Sequence, residues 1–72
     1  MNTMNEATSD PLEHCRNIQR QLGELIDHAK QDIDRVSEPR FQALLETSAE
    51  VLGGLRTAFE HYEQGSEKAW QR

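Results

Sequence analysis

Between Phe41 and Tyr62, apolar residues return at alternating steps of four and three. The series is Phe41, Leu45, Leu52, Leu55, Phe59 and Tyr62, with Ser48 holding the place between Leu45 and Leu52. This is the a/d seam of a helix, sustained over three heptads. Leu44, Val51 and Ala58, spaced seven apart, run beside it. The combined stripe is wider than one neighbouring helix covers. The spacing predicts a helix over 39–64, with Gly65-Ser66 as a candidate stop. Ser66 and Ala69 keep the heptad count, so 65–72 reads either as a tail or as a frayed extension of the helix ordered by a partner.

A second periodic stretch precedes this one. From Pro11 to Val36 the apolar positions are Leu12, Cys15, Ile18, Leu22, Leu25, Ile26, Ala29, Ile33 and Val36. Two seams overlap within them, so the stripe drifts around a predicted helix over 11–36 and meets different neighbours at its two ends. Asp10 is placed to cap that helix, Pro11 to occupy its first position, and Glu13 to complete the start signal. Its outer face pairs opposite charges one turn apart, Arg20 with Glu24 and Lys30 with Asp34 among them. Ser37-Glu38 ahead of Pro39 breaks the periodicity, because proline turns the preceding residue away from helical angles. A turn at 37–38 this short predicts an αα-hairpin, with a single kinked helix as the alternative. Residues 1–9 are polar and aperiodic and read as a disordered leader.

The fold class that follows is all-α, a two-helix antiparallel hairpin. Each helix covers only part of the other's stripe, and two such hairpins bury the remainder as a four-helix bundle. The expected interface residues are Ile18, Leu22, Leu25, Phe41, Leu45, Leu52, Leu55, Phe59 and Tyr62. The expected partner is a second copy of the chain, in competition with another helical protein. Folding at 37–38 also brings Gly23 to the level of Gly53 and Gly54. Interior helical glycines cost up to about 1 kcal/mol each against alanine, so a close approach of helices is expected there.

Composition sharpens this picture. At 72 residues the chain supports one core at most, and only about 39 % of it is apolar when glycine is counted and tyrosine left out, against 45–50 % in ordinary domains. Stability is therefore expected to come from association. One cysteine excludes an intrachain disulfide. No basic start or apolar run marks Met1–Asp10 as a secretory leader, and no membrane-length apolar run occurs, so a cytoplasmic setting is expected. The net charge of −5 speaks against broad nucleic-acid or anionic-membrane binding.

Three constellations bear on chemistry. His14, Cys15 and His61 should gather at the open end of the hairpin, a soft donor set suited to a transition metal. They lack one-turn spacing on either helix, and the Glu-x-x-His motif of metal-binding half-bundles is missing. No metal or cofactor is expected. Arg16, Arg20 and Arg56 form the one local basic patch. Small dimeric RNA-binding hairpins of the Rop type show that this architecture can hold RNA, which is an analogy of fold alone. Two or three arginines with no interleaved aromatic make few phosphate contacts, and the simpler expectation pairs them with Glu13, Glu24 and Glu60. Trp70 is a candidate anchor for the second copy or for another protein. No nucleophile–base arrangement or phosphate loop is present, so catalysis is not expected. The expected role is that of a small protein–protein interaction module, an adaptor, chaperone-like or regulatory; the RNA-binding and metal-binding readings stand behind it.

Overall fold

The computed structural model describes the backbone of residues 9–70 and the side chains of residues 9–65. The leader predicted over 1–9 therefore lies, apart from Ser9, outside the described residues, and so does the side chain of Trp70. Two helices make up the described chain: α1 spans Pro11–Arg35 and α2 spans Pro39–Trp70. They form an all-helical hairpin with no strand among the described residues, and its smallest dimension is 13 Å, a single layer of helices.

The start of α1 follows its sequence signal. Asp10 sits in extended geometry and its carboxylate accepts a hydrogen bond from the Leu12 amide at 3.0 Å, with Pro11 opening the helix. The end comes at Arg35, one residue before the predicted boundary, because Val36 turns to extended angles while its amide still donates to the Asp32 carbonyl at 3.1 Å. The link is thus Val36–Glu38. A side chain from the far side closes it: Gln42 Nε2 donates to the carbonyls of Ile33 at 3.1 Å and Val36 at 2.7 Å. The orphan carbonyls at the end of α1 are satisfied by α2.

The second helix runs past Gly65 to Trp70 rather than stopping at 64. Glycine ends a helix by adopting positive φ, and no described glycine does so. Gly65 is simply a helical residue.

Which residues face across the hairpin differs from the apolar pattern. Four residues of α2 spaced seven apart, Gln42, Ala49, Arg56 and Glu63, all meet α1. Gln42 bonds its terminal carbonyls, Ala49 is buried, the Arg56 guanidinium lies over Gly23, and Glu63 bonds Arg16 and Gln19. The buried residues of the hairpin are small: Cys15, Ala29 and Ala49. The large apolar residues are turned aside. Leu45, Leu52 and Phe59 are half-buried, while Leu44, Val51, Leu55 and Tyr62 are exposed, as are Ile18 and Leu25 on α1.

Candidate functional site: an uncovered apolar face

Ile18 and Leu25 on α1 lie toward the same side as Val51, Leu55 and Tyr62 on α2. Two grooves along that side show this. The first, of about 450 Å³, lies in the half nearer the link and is lined by Leu25, Ala29, Leu45, Ser48, Val51 and Leu52, with Thr47 and His28 at its edges. The second, of about 670 Å³, lies at the open end between Ile18, Leu55, Ala58, Phe59 and Tyr62, with Cys15 beneath. Polar groups in these linings are few. Together the two grooves reach from the open end to the level of Ala29 and Leu45.

Of the nine expected interface residues, the structure brings all but Leu22 and Phe41 into these two grooves. Leu22 is half-buried, and Phe41, 40 % exposed, stands near the link. Leu55 and Tyr62 are 46 % and 51 % exposed, and Val51 reaches 64 %, too much for residues whose role is to hold the hairpin together.

The opposite side is polar and internally bonded. At the open end, Arg16 Nε meets Glu63 Oε2 at 2.7 Å, and Gln19 Nε2 donates to Glu63 Oε1 at 2.8 Å. The same Gln19 amide group lies 3.3 Å from Cys15 Sγ, and the Cys15 thiol donates to the Phe59 carbonyl at 3.1 Å. Arg16 and Gln19 together hold the Glu63 carboxyl below its ordinary value of 4.5, since both bonds favour the charged form.

The arginine patch is neutralised within the chain. Arg20 meets Glu24 at 3.3 Å and also bonds Asn17; Arg56 approaches Glu60 at 3.9 Å; Arg16 takes Glu63. Two of the carboxylates expected as partners, Glu24 and Glu60, are the ones used. Glu63 joins them, and its signal was its place seven residues after Arg56, in a row that contains no apolar residue except Ala49. Gln42 was missed for the same reason.

The glycines do not bring backbones together. A β-carbon on Gly23 would lie 3.0 Å from Arg56 Nη1, so what passes over Gly23 is a guanidinium rather than the α2 backbone. Around Gly53 and Gly54 nothing of α1 lies within 4 Å of where a β-carbon would stand. The close approach expected at this level is absent within one chain.

Among the described residues no three His, Cys, Asp or Glu side chains gather in a way that would hold a metal ion. Cys15 is instead a buried, hydrogen-bonded thiol, while His61 is exposed. No helix of the described chain is long and apolar enough to cross a membrane. The chain matches no protein-family model, curated protein or solved structure.

Proposed function

We propose that this chain is a homodimeric helical interaction module, in which two hairpins close on their apolar faces to form a four-helix bundle. The observation that carries the reading is the distribution of burial. The residues buried within one hairpin are Cys15, Ala29 and Ala49, while five large apolar residues that line the grooves, Ile18, Leu25, Val51, Leu55 and Tyr62, are exposed. A soluble monomer rarely leaves a continuous apolar patch of more than a few hundred Å² uncovered. Here two helices side by side, each about 10 Å wide and 38 Å long over their overlap, present about 760 Å². Doubling that gives about 1,500 Å² buried between two copies, the size of a standard stable interface of 1,200–2,000 Å². The bundle's outer surface, carrying a net charge of −5 from each of its two chains, is then the part available to other proteins in an adaptor or regulatory role.

Sedimentation equilibrium of the full chain at micromolar concentration, with circular dichroism on the same samples, tests this. A helical dimer is the expected result. A poorly helical monomer overturns it and assigns the apolar face to a different helical protein.

A further inference from the structure

We infer that protonation of His14 and His28 switches the assembly: the dimer holds at neutral pH and above and comes apart as the pH falls through about 6.5 toward about 5.5. This rests on the homodimer reading and adds its regulation. It requires only that the second copy cover both grooves.

The make-up of the two linings carries the inference. The chain holds 8 Lys and Arg and 13 Asp and Glu, yet none of the described ones lines either groove. Histidine is treated differently. Of the 3 in the chain, His28 lines the groove nearer the link and His14 the one at the open end, while His61 stands exposed outside both. His14 and His28 lie two heptads apart, on the side of α1 that carries Ile18 and Leu25. Of the titratable groups in the linings, Cys15 and Tyr62 included, only an imidazole ordinarily changes its charge between pH 5 and 8. The face excludes the charges that neither neutral nor mildly acid pH removes, and admits the one that mild acid adds.

Covering the face strips water from both rings. A neutral imidazole then loses ordinary hydrogen bonds, whereas an imidazolium loses the hydration of a full charge. The covered form binds protons less readily than the free hairpin, so protons favour the free hairpin. Full affinity is present above the ordinary imidazole value near 6.5 and declines as the pH drops below it.

The neighbouring charges set the share of each ring. His28 Nε2 lies 3.0 Å from Asp32 Oδ2, one turn further along α1, and that carboxylate supports a charged ring before and after assembly. Glu24, one turn earlier, is taken by Arg20. The groove neighbours of His28 on α2, Thr47, Ser48 and Val51, carry no charge. His14 stands in the first turn of α1, where the helix dipole opposes a cation. Asp10 and Glu13 are the carboxylates nearest to it in sequence, Asp10 already accepting from the Leu12 amide, and Tyr62 is the titratable group that α2 adds to its groove. His14 therefore makes the larger contribution.

Sedimentation equilibrium of the full chain at about pH 7.5 and about pH 5.5, at constant ionic strength and with helicity recorded, tests this. A tenfold loss of proton affinity at the His14 of both chains alone raises the dissociation constant about thirtyfold, the least effect expected. Carboxylates stay largely charged over this range, and any charge they lose lets two chains of net −5 approach more easily, which is the opposite sign. His61→Gln should keep the full response. A chain with both His14→Gln and His28→Gln should show one dissociation constant at both pH values. A wild-type constant that stays flat or falls in acid, or an undiminished response in the double variant, overturns the switch while the dimer stands. A monomer at about pH 7.5 overturns the homodimer reading beneath it. Imidazole proton resonances of the unsubstituted chain give a second measure, independent of how the variants fold. The titration midpoint of His14 should drop as rising protein concentration carries the chain into the dimer, while that of His61 stays. A His14 midpoint that ignores concentration overturns the switch.

Discussion

The two faces of the hairpin are built on opposite plans. On the side where α1 and α2 meet, the residues are small or polar, and the ties are directional: the Gln42 amide on the carbonyls of Ile33 and Val36, the Cys15 thiol on the Phe59 carbonyl, Glu63 between Arg16 and Gln19. On the other side the residues are large, apolar and uncovered. Directional bonds fix where two helices sit, yet each adds only about 1 kcal/mol net. Apolar burial supplies most of the stability of a folded chain, and within this hairpin Leu44, Val51, Leu55 and Tyr62 stay exposed. On the proposed homodimer, geometry is settled inside one chain and stability comes from the second copy.

A charge in the middle of the apolar face should break this contrast most severely. Leu52→Asp places a carboxylate near the centre of the proposed interface. Unpaired burial costs several kcal/mol, so the dissociation constant should rise about a thousandfold or more, with helicity lost alongside. Sedimentation with circular dichroism reads both, and a folded helical monomer would show that the directional side suffices alone.

Gln42→Ala attacks the other side. Two hydrogen bonds to helix-terminal carbonyls are lost, which should cost about 1–3 kcal/mol. The melting temperature should fall by several degrees while the dimer persists. An unchanged melting temperature would mean that water replaces the amide at no cost.

Gly53→Ala and Gly54→Ala sharpen the comparison, since neither position meets α1. Each should stabilise the helix by about 0.5–1 kcal/mol through helix propensity alone, read as a higher denaturant midpoint. A weaker dimer instead would place the second copy's backbone against these glycines.

The smallest effect expected is that of pH on the Glu63 tie. Its carboxyl is held below 4.5 when folded, so its contribution is present above that value and fades as the pH falls through the lower, folded one. Glu63→Gln should flatten this acid limb of stability, measured by denaturant unfolding as the pH is lowered below 4.5. An identical limb in wild type and variant would remove Glu63 as its source.

The two helices, their cap at Asp10 and the break before Pro39 were legible because each rests on local chemistry: periodicity, a side-chain acceptor and a ring that forbids helical angles. So was the excess width of the stripe on α2. What could not be read was the direction in which each side of that stripe points. Hydrophobic spacing assigns Leu52 and Leu55 to a seam, but says nothing of whether α1 or another surface fills it. The row that does face α1, Gln42, Ala49, Arg56 and Glu63, is invisible to a search for apolar residues. The glycines misled for a related reason: level is predictable from a turn, whereas facing depends on how each helix is rotated about its axis. Gly23 meets the Arg56 side chain, and nothing of α1 lies within 4 Å of a β-carbon at Gly53 or Gly54.

The Cys15 thiol, 3 % exposed and bonded to the Phe59 carbonyl, has one further consequence. A thiol-specific reagent reaches that sulfur when the open end of the hairpin loosens, by the helices parting or by Phe59 shifting in the groove that Cys15 also lines. The chain thus carries its own clock for that loosening. The alkylation rate of the native protein, followed against protein concentration, would time it. If rates slow as concentration rises, the event being timed is one that assembly suppresses.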